Sequence, residues 1–169
     1  MTRQEITAFY NKHYKRLYNA SMRIVCNRFE AEEIMQDTII KFLDTDNVPE
    51  DEVKISAWLL KTCIRKSIDK LREKKKSDLF IENYKEDYKN MTVSDRKDQT
   101  EIDYQIAKIK TALANLNDPY RLILTLSLIE GYDYKEIAEI TEQKEVTIRS
   151  QFLRGKVKLI ESLKVNNNS

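Results

Sequence analysis

Between Tyr134 and Leu163 two stretches of helical periodicity are separated by only a few polar residues, and that spacing leaves little choice of local fold. The first is Tyr134-Lys135-Glu136-Ile137-Ala138-Glu139-Ile140. Asp133 stands where a helix cap is needed, and Glu136 follows three residues on, as in a capping box. Ile137 and Ile140 form a short apolar stripe, and Ala138 is small enough for a second helix to cross closely. In the second stretch Ile148, Phe152, Gly155, Leu159 and Leu163 share one face at helical spacing. Arg149, Ser150, Arg154 and Lys156 or Lys158 are left on the outer faces. A short helix, a tight connection and a longer basic helix make a helix-turn-helix pattern, whose second helix can enter a major groove. An ordinary helical hairpin with solvated lysines has the same periodicity.

The rest of the chain supports the helical reading. Its 169 residues include only two Gly and two Pro, and 34% are charged, so helix breakers are scarce. The net charge is only +2, but the charge is unevenly placed. Phe29–Glu52 holds nine acids (Glu30, Glu32, Glu33, Asp37, Asp44, Asp46, Glu50, Asp51 and Glu52) against Lys41. Lys70–Lys76 holds five bases against Glu73, and Lys144–Lys164 six bases against Glu145 and Glu161. That asymmetry points to two kinds of partner, one basic and one nucleic acid. No apolar run is long enough to span a membrane and no signal-peptide pattern opens the chain, so a cytoplasmic protein without membrane insertion is expected. Cys26 and Cys63 form no CxxC pair and read as reduced thiols packed in helices. His13, the only histidine, cannot build a metal site alone and reads as an incidental surface or partly buried residue.

Taken in order, the periodicity predicts a first helix over about Gln4–Val25, with Phe9, Tyr10, Tyr14, Leu17, Tyr18, Ser21, Ile24 and Val25 inward. A second follows the break near Asn27, with Ala31, Ile34, Met35, Thr38, Ile39 and Phe42 as its stripe. Opposite stand Glu30, Glu33, Gln36 and Asp37, either a solvated face or a docking face for a basic partner helix. Asp44–Ile55 reads as a polar loop, since Val48 precedes Pro49. Ser56 can cap a third helix reaching about Lys76, with Ala57, Leu60, Ile64, Ser67, Ile68 and Leu71 buried. Trp58, Lys61, Thr62, Arg65, Arg72 and Lys76 lie off that stripe. Cations with a ring for stacking are what single-stranded DNA needs, although a lone Trp can equally be packed in a core. Residues 77–100 read as a linker, with a short helix possible near Leu79–Asp87. A helix from about Glu101 would turn Ile102, Ile106, Ile109, Leu113 and Leu116 inward. Asp118-Pro119 marks the next helix start, Leu122, Ile123, Leu126 and Ile129 its inner face, and Gly131 its left-handed stop. The expectation is an all-α protein of two small helical domains, 1–76 and 101–169, joined by a linker.

This order resembles the bacterial sigma-70 family of RNA polymerase factors, in its minimal extracytoplasmic-function type. The carrying segments are Phe29-Glu30-Ala31-Glu32-Glu33-Ile34-Met35-Gln36-Asp37-Thr38, Ala57-Trp58-Leu59-Leu60, Ile68-Asp69-Lys70-Leu71-Arg72 and Gly131–Ile140. The resemblance covers about residues 9–76 and 104–164. It implies a region 2 domain that binds a coiled coil of the largest polymerase subunit through Glu33, Gln36 and Asp37. The same domain would melt the −10 element with Trp58, Lys61, Thr62, Arg65 and Arg72, and capture a flipped base in the Asp44–Ile55 loop. It also implies a region 4 domain that contacts the polymerase flap and reads −35 promoter DNA through Arg149, Ser150, Leu153 and Arg154. An anti-sigma factor is expected as a further partner. The sequence departs from the family pattern at the helix-turn-helix turn, where Glu142, Gln143 and Lys144 replace a usual Gly, an apolar plug and a Ser cap. Val146 stands for a further Gly, Gln151 for an Arg, Gly155 for an Ala, and Arg65 for an Asn. The turn is therefore expected to be built without glycine's access to positive φ.

The implied function is a promoter-specificity subunit with no chemistry of its own. A helix-turn-helix regulator acting without polymerase is the competitor, and a sigma-like protein with altered promoter recognition is a third reading, suggested by the turn. For an enzyme, the chain offers no Gly-rich phosphate loop, no Cys/His cluster and no Ser-His-Asp set, so no catalytic residue, metal or cofactor is expected.

Overall fold

The computed structural model describes residues 1–77 and 100–167, which form two compact helical units without a strand among the described residues. The linker, including the helix expected near 79–87, lies outside them.

In the first unit α1 (Arg3–Val25), α2 (Arg28–Leu43) and α3 (Glu52–Ser77) pack around one core. Thr2 and Glu5 form a reciprocal capping box at the start of α1. The helix stops at Cys26, which adopts a left-handed conformation (φ 54°) with its N–H donated to the Met22 carbonyl at 2.9 Å. Asn27 then caps α2, its Oδ1 accepting the Glu30 N–H at 3.1 Å. Leu17, Ile24, Met35, Leu59 and Ile64 are fully buried. Where α1 meets α3 the contact is small and polar: the Ser67 hydroxyl lies 2.9 Å from that of Ser21 and 2.8 Å from the Cys63 carbonyl. Each hydroxyl has a partner, so burying it carries no desolvation penalty of an orphan group.

Several expectations need correction here. The third helix starts at Glu52, capped by Asp51, whose Oδ1 accepts the Val53 and Lys54 N–H groups at 2.9 and 3.1 Å. Pro49 bars helix only at the residue before it, so the chain can turn helical earlier than Ser56. Ala57 is exposed while Leu59 and Cys63 are buried, because α3 packs against both other helices and needs a wider apolar arc than one stripe. Tyr14 is exposed and stacks on Tyr10, whereas His13 is buried against Phe9.

The second unit holds α4 (Glu101–Ala114), α5 (Asp118–Leu124), α6 (Tyr134–Thr141) and α7 (Glu145–Asn167). Beyond Leu124 the backbone of α5 widens into a π turn over Thr125–Ile129, with the Glu130 N–H reaching the Thr125 carbonyl at 3.1 Å. Gly131 follows in the expected left-handed conformation (φ 78°). Asn117, one residue earlier than expected, occupies the cap of α5, and Asp118 is instead held by Arg121 at 2.6 Å. Arg121 is itself buried and also donates to the Leu116 carbonyl, a buried cation the periodicity gave no hint of. The core joins Ala112, Leu113, Leu124 and Leu159, with Leu116, Ile129, Phe152 and Leu163 against it. Ile102, Ile106 and Ile109 are exposed rather than inward, because α4 docks on this core only through its C-terminal turns. At Gly155 a side chain would come within 3.1 Å of the Tyr120 Cβ and 3.2 Å of the Leu124 Cδ1, so α5 and α7 cross where the residue is smallest.

Candidate nucleic-acid and protein-docking surfaces

The helix-turn-helix is α6, a tight turn and α7. Asp133 and Glu136 cap α6 reciprocally, at 2.8 and 2.9 Å. The turn corrects the expectation of a different build: Glu142 itself takes the left-handed conformation (φ 57°), as Gly131 does at the end of the π turn. Its N–H and that of Gln143 both reach the Ala138 carbonyl. A non-glycine residue pays about 1–2 kcal/mol for this geometry.

Ile148, Gly155 and Leu159 of α7 are buried, which fixes the opposite face toward solvent. Arg149, Leu153 and Arg154 are exposed there and Ser150 is half-buried. Arg149 is pre-oriented, with Nη2 2.8 Å from the Glu145 Oε1 and the guanidinium over the Tyr134 ring. Such pairing with a solvated carboxylate is weak and exchangeable. Val146, on the first turn of α7, is 78% exposed. This face offers cations, a hydroxyl and apolar groups, the set that reads base edges and phosphates in a major groove.

On α3 the expected DNA-facing residues share one ridge. Lys61 and Thr62 are half-buried, and Arg65 and Arg72 are exposed. Trp58 at its N-terminal end is half-buried, with its ring edge-on to Phe42 at 5.6 Å, and Phe42 stacks on Phe9 at 4.9 Å. One side of the indole is therefore packed, and the side chain still reaches solvent.

The acidic helix has a feature the sequence did not show. Glu30, Glu33 and Asp37 of α2 face Lys74, Lys70 and Lys66 of α3, at 2.6, 3.9 and 3.6 Å. The basic residues of α3 thus divide: three lysines spaced four residues apart close on α2, and the ridge of Lys61, Arg65 and Arg72 faces outward. Glu33, Gln36 and Asp37 are all exposed, but Asp37 leans toward its lysine. The signal for this ladder was present as a four-residue spacing of lysines, yet only the antiparallel packing of α2 on α3 brings the two sets together.

His13, behind this surface, has its pKa pushed below the ordinary value by burial, with Lys12 adding to the effect and Glu52 opposing it. Glu52 in turn is held below the usual carboxylate range by the hydrogen bond and charge of Lys12. Neither Cys26 nor Cys63 is in a disulfide, and no group of three His, Cys, Asp or Glu that could hold a metal is found among the described residues. No helix among the described residues is long and apolar enough to cross a membrane.

Two helical units, one with an acidic helix beside a Trp-bearing basic ridge and one with a helix-turn-helix, define a DNA-binding protein that also carries a protein-docking face. Residues 9–77 match Sigma-70 region 2, and residues 106–159 match Sigma-70, region 4. The chain belongs to the sigma-70 family, as a factor of the extracytoplasmic-function type. It is 27% identical over 150 residues to RNA polymerase sigma factor SigV of Bacillus subtilis, covering 85% of this chain and 81% of that protein. It is 28% identical over 155 residues to ECF RNA polymerase sigma factor SigE of Mycolicibacterium smegmatis, covering 90% of this chain and 59% of that longer protein. Among solved structures it is similar in fold to the sigma factor RpoE in complex with the anti-sigma factor NepR from Bartonella quintana. That likeness has a TM-score of 0.61 and 19% identity, covering 96% of this chain and 98% of the other.

Proposed function

We propose that this protein directs core RNA polymerase to a specific set of promoters, acting as an exchangeable initiation subunit in the cytoplasm. The observation that carries this is the presence in one chain, in family order, of an acidic outward helix, an aromatic and basic ridge, and a helix-turn-helix. Glu33, Gln36 and Asp37 dock on the coiled coil of the largest subunit, and region 4 contacts the flap. Arg149, Ser150, Leu153 and Arg154 read the −35 element in the major groove. Trp58, Lys61, Thr62, Arg65 and Arg72 meet the displaced strand at −10, the cations neutralising phosphates and the indole offering a stacking face. Catalysis belongs to the polymerase, and no cofactor takes part. An anti-sigma factor holds the free protein inactive; support comes from the RpoE structure, whose subject is such a complex.

Duplex binding without polymerase would leave the docking helix and the Trp58 ridge without a role. Altered promoter recognition is not favoured, since both matched family regions and the curated relatives are those of promoter-directing sigma factors. The test is runoff transcription by reconstituted holoenzyme on a genomic library, with start sites sequenced. Start sites sharing −35 and −10 elements at fixed spacing are expected; no stimulation over core polymerase would overturn the proposal.

A further inference from the structure

The solvent-facing side of α7 has an apolar centre line. At about 100° per residue, Val146, Leu153 and Val157 fall within about 40° of arc, on the side opposite the buried Ile148 and Gly155. They are 78%, 62% and 55% exposed. Arg149 borders this line on one side, and Ser150 and Arg154 border it on the other. Arg149 is drawn away from the line, toward α6, by the Glu145 carboxylate at 2.8 Å and by the Tyr134 ring. The pole of the surface, over the first turns of the helix, is thus held by two apolar side chains with a cation to either side. Exposed apolar residues are ordinary singly, but these two stand where a groove-bound helix would meet base edges.

We propose that Val146 is a specificity-determining residue of −35 reading, seating the 5-methyl group of a thymine, and that Leu153 seats a second. The proposal rests on the −35 role given above for α7 and names the base chemistry that α7 selects. Valine and leucine carry no side-chain donor or acceptor, so neither can read a polar base edge or hold a phosphate. The thymine methyl is the apolar group that base pairs present in the major groove. Another base opposite Val146 would have its polar edge desolvated without a partner, so the wrong base is penalised as well as left without a contact. Two observations select this occupant over a protein surface. The apolar line has cations along both borders, and a major groove about 12 Å wide has phosphates along both. Val146 and Leu153 are also seven residues apart, about 10 Å along the axis, or roughly three base pairs at about 3.4 Å each. Val157, a further turn on, lies beyond the N-terminal part of the helix that makes base contacts in such motifs.

The experiment uses holoenzyme reconstituted from the full chain and core polymerase, with a −35 duplex taken from the start sites that runoff transcription maps. Each thymine of the duplex is replaced in turn by deoxyuridine, which removes the methyl and leaves every hydrogen-bonding group in place. Affinities are measured for wild type, Val146→Ser and Leu153→Ser. For wild type, deoxyuridine should weaken binding about fourfold at each of two thymines, the effect of one buried methyl group. Val146→Ser should abolish the loss at one of them, and Leu153→Ser at the other, about three base pairs away. Both sites are exposed, so circular dichroism should be unchanged. Wild-type affinity for every deoxyuridine duplex would overturn the proposal, as would a methyl effect that survives in Val146→Ser. In either case −35 binding itself persists, and the function proposed above stands. Absence of −35 binding by the wild-type holoenzyme would overturn both.

Discussion

Replacing Glu142 by Gly tests whether the helix-turn-helix turn is strained but intact. Glu142 sits at φ 57°, ψ 38°, a conformation that costs an L-residue about 1–2 kcal/mol. Glycine removes that cost, but adds about 0.4–1 kcal/mol of entropy to the unfolded chain. The carboxylate is exposed, and its loss subtracts at most a few tenths of a kcal/mol. The net expectation is a gain of about 0.5 kcal/mol, which in a unit of this size raises the midpoint of its unfolding by about 2–4 °C. Calorimetry of the full chain reads this directly. Gln143→Gly is the control: Gln143 is not among the positive-φ residues, so glycine there relieves nothing and should destabilise. Because the turn already follows the left-handed path, −35 duplex affinity of the holoenzyme should be the same for Glu142→Gly and wild type. A lowered midpoint, an equal response at Gln143, or a tenfold change in DNA affinity would each refute the reasoning.

Asp37→Arg with Gln36→Ala should weaken core polymerase binding, by less than the roughly 2–5 kcal/mol of a desolvated charge pair because Asp37 already pairs with Lys66, with helicity unchanged; a pull-down and circular dichroism check it. Arg149→Ala and Arg154→Ala should each lower −35 affinity and remove about 1–3 kcal/mol of discrimination at one base pair, measured by competition among single-base promoter variants. Trp58→Ala should cost about 0.5–1.5 kcal/mol from the lost ring pair with Phe42 and also slow −10 opening in permanganate footprinting, whereas Trp58→Phe should restore stability more than opening. His13 has a folded pKa below its ordinary 6.5, so the unfolded chain binds the proton first: stability is complete above that pH and falls as pH drops through 6.5 toward the folded value. Thermal midpoints from pH 8 to pH 5 should show this fall, and His13→Phe should remove it.

The sequence by itself determined the helices, their order and the family. With two Gly and two Pro in the whole chain, apolar spacing had few interruptions and could be read directly. The capping box at Asp133 and Glu136 and the left-handed stop at Gly131 were legible because each is a local device, fixed by residues within one turn. The candidate DNA-facing residues of α7 were legible too, since a helix with one buried face has its other face assigned by subtraction. What the tertiary structure decided was everything that depends on a neighbour. Periodicity marks a stripe as apolar but not whether anything lies opposite: Leu113 of α4 is buried and Ile102, three turns earlier on the same stripe, is not. It cannot tell that Asp37 and Lys66 meet, because their approach is set by the packing angle of α2 on α3. It could not foresee Glu142 holding a glycine's conformation, because the αL penalty is about 1–2 kcal/mol and the burial of Ile137, Ile140 and Ile148 on either side of the turn outweighs it.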